Sequence, residues 1–461
     1  MENVLTLVIT FISIVIVARL ILKKYNAILV FFAAGLLINL YLAIATGYSP
    51  IAEQTTGNLI LDVFAFIGSE FKEQLGGVGT NLMVVAGYAS LMTHIGASEK
   101  LAVTATKPLM KLNKPYLILA FLYIIGAVLK MMITSHAGLS LLLMATTFPI
   151  LIRLGISKLS AASAILISGA LDWGVNDGAV LFAAENVSGF SVSDYFVNYQ
   201  FLPASISILT VAIVMAIYFK RIDARQGAEK SSTSDVAYDN GEKANELNWL
   251  YAILPALPLL LVMSSVFLPN MEIEVFTANV IGLIVTLLLE TIRLRKDIAK
   301  TLADYLSVTF KAMGNSFANI VTLIVAASVF AKGLIQLGGI TLIANQIAKF
   351  SGAQLIIIVA LSLLSFFAVI ILGSGNAGWY AFGPLVTDIA PKVGLEAVQI
   401  AVPMQLAAGM GRGLSPVAAA MLSVVGLAGV ELESLIKRNT VPVVCGLVAN
   451  IISSYLIHVV F

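Results

Sequence analysis

A chain of 461 residues is long enough for two or three ordinary soluble domains. Composition excludes that reading: 59% of the residues are hydrophobic and 11% charged, where soluble globular chains hold roughly 45–50% and about 25%. A formal net charge of +2 argues against a nucleic-acid partner, and the single cysteine, Cys445, leaves no disulfide within the chain and no cysteine-rich metal site.

At about 20 apolar residues per crossing helix, the apolar content supports roughly ten to twelve membrane elements. The first apolar run, 3–22, follows Glu2 and precedes Lys23 and Lys24. A cleavable signal has its positive charge before the run, so this one is read as a retained membrane helix. Whole or half helices are then predicted at 27–46, 79–95, 115–134, 137–152, 159–186 and 197–219. The polar stretch 220–248 carries Arg221, Arg225, Lys230, Ser231 to Ser234, Asp235, Asp239, Glu242 and Glu246, and reads as a solvated linker between two halves. Beyond it, further runs lie at 249–268, 275–292, 317–337, 354–373, 377–390, 397–428 and 437–460.

The basic residues place these runs across the bilayer. Lys and Arg cluster at 19–24, 100–114, 153–158, in the linker, at 293–311 and at Lys437 and Arg438, whereas 47–57, 187–196 and 269–275 hold none. All clusters fall on the cytoplasmic side if both termini are periplasmic and the pairs within 115–152 and 354–390 enter and return as re-entrant hairpins. Hairpins dipping from opposite faces imply an inverted repeat, and the residues carry one. Ser135, Gly155 and Pro203 recur at the same spacing as Ser374, Gly394 and Pro442, and Ile95-Gly96 matches Leu337-Gly338 at a slightly larger offset. The organisation read from this is scaffold helices (1–112), a transport part (113–219, with hairpin 115–152 and broken helix 159–186), the linker, then a second scaffold set (249–349) and a second transport part (350–461, with hairpin 354–390 and broken helix 397–428).

Four breaks converge in this alignment: the tips Thr134-Ser135-His136-Ala137-Gly138 and Gly373-Ser374-Gly375-Asn376-Ala377-Gly378, and the interruptions at 169–178 and 409–416. Unpaired backbone cannot face lipid and must meet protein, water, ion or substrate. A helix beginning at a tip presents free N–H groups carrying about half a positive charge, which suits carboxylates or phosphates. Arg412 adds a rigid charged fork matched to a carboxylate, with Ser415 beside it. Two helix ends and one arginine suit a substrate with two carboxylates, and unwound carbonyls opposite offer a cation site. Asp172, Asn176 and Asp177 are candidates for that cation or for a proton; the two aspartates equally fit as partners of Arg412 or as residues of a wet loop. His136 reads as a proton carrier or a neutral hydrogen-bonding group. Lys130 and Lys332 snorkel or pair, without an assigned partner. Small-residue stretches also serve close helix packing, the plainer reading of Gly373-Ser374-Gly375. No nucleotide-binding, HExxH or GxSxG signature is present, so an enzyme is not expected and an ion or substrate gradient supplies the energy.

At these residues the sequence resembles the anaerobic C4-dicarboxylate carriers of the DcuC type, including its relative DcuD. The resemblance runs along nearly the whole chain and is most specific at Met92 to Ala97, Leu142 to Thr146, Phe317-Ala318-Asn319, Phe330 to Leu334, Gly373 to Ala377, Ser415-Pro416, and Lys437-Arg438 followed by Val441-Pro442. Asp172-Trp173-Gly174 and Phe182-Ala183-Ala184 look more like the DcuD branch. It implies an all-α ion-transporter fold of the elevator type, a homodimer, and exchange, efflux or cation-coupled uptake of succinate, fumarate, malate or aspartate across a bacterial inner membrane. The coupling ion would be H⁺ or Na⁺, with no resident cofactor. Carried over, Ser135 to Gly138, Ser374 to Ala377, Arg412 and Ser415 would line the substrate site. Alternatives are a carrier for citrate or another carboxylate, and an anion channel built on the same helix ends.

Overall fold

The computed structural model describes residues 2–23, 25–51, 55–111, 114–225, 246–268, 271, 273–294, 297–350 and 352–461. Most of the expected linker lies outside the described residues, as do Lys24, Arg295, Lys296 and parts of 47–57 and 269–275. Among the described residues every regular element is a helix, and eight helices are long and apolar enough to cross a membrane.

In chain order the helices are α1 (Glu2–Leu22), α2 (Ala27–Thr46), α3 (Leu59–His94), α4 (Ala97–Thr106), α5 (Pro115–Lys130), α6 (His136–Thr146), α7 (Phe148–Arg153), α8 (Lys158–Ser168), α9 (Gly178–Phe182) and α10 (Val192–Arg225). The second half holds α11 (Leu257–Phe267), α12 (Val275–Leu294), α13 (Ile298–Leu337), α14 (Gly339–Ile347), α15 (Ala353–Leu372), α16 (Gly375–Phe382), α17 (Leu385–Ile389), α18 (Ala397–Gly411), α19 (Ala419–Ala428) and α20 (Leu432–Val460).

The apolar runs expected at 79–95 and 317–337 are the second halves of longer helices, α3 and α13, each with a π turn, at Leu75–Gly79 and Phe317–Val321. Their first halves carry charges that interrupt the apolar pattern, and within α3 two of these are paired. Buried Asp62 accepts from the hydroxyls of Ser49, Thr55 and Thr56 at 2.8, 2.7 and 2.6 Å. Buried Glu70 accepts from Ser328 Oγ at 2.5 Å and pairs with Lys332 of α13. An intramembrane charge persists where such partners meet it, so pairing hides the helix from a search for unbroken apolar runs.

The repeated residues have matching backbones. Gly155 and Gly394, which follow the helical segments 115–153 and 353–393, have φ of 81° and 70°; Gly96 and Gly338, which follow α3 and α13, have φ of 84° and 83°. A side chain disfavours this left-handed conformation, so glycine ends each helix at the same place in both halves. Ser135 and Ser374 both cap the arm that follows them, each Oγ accepting from the N–H three residues on, at 3.1 and 3.4 Å.

Packing joins elements of both halves. Helix α10 lies along α20 and α5, α15 along α18, and α6 along α19; α2 packs on the second half of α13, and the second half of α3 on the first half of α13. A buried polar clamp ties α5, α10 and α20 together. Asp223 of α10 accepts from Arg438 of α20 at 2.5 Å, Ser157 at 2.9 Å and Tyr116 of α5 at 2.9 Å. Removing this carboxylate takes a charged partner from Arg438, which is 4% exposed. Asp223→Ala is therefore expected to destabilise the protein by about 3–5 kcal/mol, read as a lowered unfolding temperature of the purified protein in detergent.

Candidate functional site

Both expected interruptions are present. Helix α8 ends at Ser168 and the chain resumes helical form at Gly178; α18 ends at Gly411 in a 3₁₀ turn, Arg412–Leu414, before α19. The interruptions pack against each other, because a Cβ on Gly409 would stand 2.8 Å from the Asp172 backbone nitrogen and 3.0 Å from the Ala170 carbonyl oxygen. Only glycine allows that approach. The freed backbone meets protein groups: Gln405 and Gln200 donate to the Asp172 carbonyl at 2.8 and 3.3 Å, Arg412 Nη2 donates to the Ala170 carbonyl at 3.1 Å, and Asn439 donates to the Gly413 carbonyl at 2.8 Å. Carbonyls expected to face a cation thus receive donors from the chain itself.

Four buried charges assemble here. Lys130, in the last turn of α5, places Nζ 3.0 Å from Asp172 Oδ1 and also pairs with Asp177 Oδ2. Arg412 Nη2 pairs with Asp172 Oδ2. Asp177 has a second task, its Oδ1 accepting from Ala179 N at 2.9 Å and capping α9. Two cations and two carboxylates sum to zero formal charge, the condition under which buried ions persist. The set is not saturated: Arg412 Nε, Asn376 Oδ1 and the Tyr380 hydroxyl are buried and have no hydrogen-bond partner among the described residues. Arg412 also packs closely on the first turn of α16, since a Cβ on Gly375 would collide with its Nε and fall 2.7 Å from Cζ.

Asp172, Asp177, Asn376 and Arg412 face a cleft of about 800 Å³, within the roughly 300–1,000 Å³ of small-molecule sites. Ser135, His136, Gly138, Asp172, Asn176, Asp177, Asn376 and Arg412 all line it, so residues far apart in sequence meet on one surface. The opposite wall is the second half of α3, from Leu82 to His94. A second cleft, of about 520 Å³, lies beyond Asn81 on the same helix and is bordered by Thr80, Glu185 and Glu274.

Other expected site residues stand back from the main cleft. Ala137, Ser374, Gly375 and Ala377 belong to the two tips but are not on its lining, and Ser415 is wholly buried, its Oγ accepting from Val417 N at 3.4 Å. The His136 ring is buried with Nε2 2.8 Å from the Leu166 carbonyl, so that nitrogen carries the proton and locks the tip to α8. Asn176 accepts at 3.4 Å from Asn279 of α12.

Lys130 escaped assignment, as did Tyr380, Gln200 and Gln405. A signal for Lys130 exists in charge arithmetic: two intramembrane aspartates and one arginine leave a negative charge that a nearby cation must offset. Lys130 sits one turn before the tip holding Ser135.

The fold is that of polytopic membrane transporters. The YdaH transporter of Alcanivorax borkumensis superimposes with a TM-score of 0.62 at 14% identity, over 93% of this chain and 97% of that one. MtrF of Neisseria gonorrhoeae gives 0.57 at 15% identity, over 94% and 95%. A family model described as the C4-dicarboxylate anaerobic carrier, DcuC, matches residues 5–459. The anaerobic C4-dicarboxylate transporter DcuC of Escherichia coli K12 is 33% identical over 459 residues, covering 99% of this chain and 97% of that protein. A probable transporter of the same description from Vibrio cholerae is 32% identical over 461 residues, covering 98% and 97%. The chain belongs to the DcuC family.

Proposed function

We propose that the protein is a secondary-active transporter of C4-dicarboxylates, moving succinate, fumarate, malate or aspartate by exchange, efflux or coupled uptake across a bacterial inner membrane. The observation that carries this reading is the cleft in which two capped hairpin tips flank Arg412, a buried fork with an unused donor. One substrate carboxylate meets Arg412; the other meets the N–H groups at the Ser135 tip and the Asn376 amide. Descent from a family whose members are named for C4-dicarboxylates supports the same substrate class.

In this reading the hairpins enter from opposite faces, and the body that carries them slides against α1 to α4 and α11 to α14 as an elevator, within a homodimer. Both termini are periplasmic. The main cleft then opens to the cytoplasm, because His94 and Glu99 are part of its lining, beside the basic cluster that begins at Lys100. The second cleft is the start of the periplasmic path. A proton or Na⁺ travels with the substrate.

Radiolabelled succinate is the deciding probe. Purified protein in proteoliposomes is expected to accumulate it or exchange it for internal succinate, with fumarate and malate competing. Failure to move any of the three, while citrate moves, would overturn the substrate class; currents far above carrier turnover would overturn the carrier.

The contact between Gly375 and the guanidinium supplies a finer prediction. Gly375→Ala pushes Arg412 off its seat, and a displacement of this order costs about 100-fold where reacting or binding groups must align. Succinate exchange by that variant is expected to fall accordingly while the protein still elutes as a single folded species.

A further inference from the structure

Asp172 differs from every other side chain in the site by touching both cations at once. Its Oδ1 is 3.0 Å from Lys130 Nζ and its Oδ2 is on Arg412 Nη2. We propose that Asp172 stands in for a substrate carboxylate when the site is empty, and that it takes up a proton when substrate displaces it. The proposal rests on the dicarboxylate reading above and deepens it by assigning the coupling group.

Three observations support Asp172 over Asp177. First, one carboxylate bridging a lysine and an arginine is the contact an incoming carboxylate must make to use the same cations. Second, Asp177 is committed to the backbone through Ala179 N, so its departure would uncap α9. The Asp172 side chain has only the two cations as partners among the described residues, and the Gln200 and Gln405 bonds go to its main-chain carbonyl. It can therefore turn away without unfolding the interruption. Third, Arg412 Nε has no acceptor although the guanidinium is buried. Asp172 satisfies the fork incompletely, and a ligand can do better.

Charge then dictates the proton. The empty cluster of Lys130, Arg412, Asp172 and Asp177 is formally neutral, and a dianion entering it leaves an excess of two negative charges in a low-dielectric site. The other groups facing Asp172 are His136 from α6, with one ring N–H held by the Leu166 carbonyl, and the Tyr380 hydroxyl from α16. Neither adds positive charge while neutral. A proton from water in the cleft, bound by the displaced Asp172 carboxylate, removes one excess charge and ends its competition for Arg412. On the opposite side the substrate leaves, Asp172 re-forms its bridge, and the proton is released there. One proton thus crosses with each substrate. A metal cation in this role would need oxygens not already turned toward Lys130 or Arg412.

The test uses the whole protein in weakly buffered detergent with a pH-indicating dye. Wild-type protein is expected to take up about one proton per succinate bound, and Asp172→Asn none. Loss of the internal competitor should also tighten succinate binding by tenfold or more, equivalent to about 1.4 kcal/mol. No proton uptake by the wild type would overturn the proposal without involving the variant. A folded Asp172→Asn protein that still takes up the proton, or binds succinate more weakly, would also overturn it, weaker binding showing that Asp172 positions Arg412. If wild-type protein binds and exchanges no C4-dicarboxylate at all, the substrate reading itself fails and the proposal falls with it.

Discussion

Arg412→Ala is expected to lower succinate exchange by roughly 30-fold to several thousand-fold, since truncating one partner of a buried charged hydrogen bond costs about 2–5 kcal/mol and each 1.4 kcal/mol is tenfold. The protein should still fold, though with some loss of stability from the excess negative charge, because Asp172 keeps Lys130 as a partner 3.0 Å away and, among the described residues, the Ala170 carbonyl is the one other acceptor that loses a donor. Arg412→Lys should not restore transport, as a point charge on a flexible stem lacks the planar fork that packs closely on Gly375. Exchange measured beside unfolding temperature separates the two effects. Wild-type exchange by the alanine variant would make the arginine a structural residue that serves the Ala170 carbonyl.

The second large effect is on stability. Lys130 is fully buried and contacts both aspartates, so Lys130→Met strands a carboxylate in the interior and is expected to destabilise the fold by about 3–5 kcal/mol. Adding Asp177→Asn restores neutrality and preserves the cap on α9, because asparagine caps a helix as well as aspartate does. The double variant should therefore be more stable than Lys130→Met alone, a non-additivity expected of groups in direct contact. Unfolding temperatures of the two single variants and the double variant measure it. Strict additivity would mean that Lys130 and Asp177 do not act as a pair.

The sequence made the four breaks legible because each is marked by residues with one local meaning. Gly373 stops α15, Ser374 starts α16, and Gly409 with Gly411 admits the close backbone approach beside Arg412. The repeat was legible for the same reason: a serine cap and a left-handed glycine keep their spacing when little else does. Partnership was not legible. Lys130 meets Asp172 and Asp177 only after the chain has run through α6 and α7, turned at Gly155 and entered the interruption, and no local pattern encodes that return. The first halves of α3 and α13 were missed on similar grounds, since Glu70 looks like a soluble residue until Lys332 and Ser328 arrive from the other half. His136 drew attention as the one histidine at a tip, yet its ring is occupied with holding Leu166.

The central proposal is that the tips at Ser135 and Asn376, contributed by opposite halves of the chain, receive a diacid beside Arg412. An experimental density map of the protein bound to succinate tests this most directly. The account predicts density for the ligand in the main cleft, one carboxylate on the guanidinium of Arg412 and the other between the first turn after Ser135 and the Asn376 amide. Succinate seated elsewhere, with the bridge from Asp172 to Arg412 and Lys130 intact beneath it, would contradict the account.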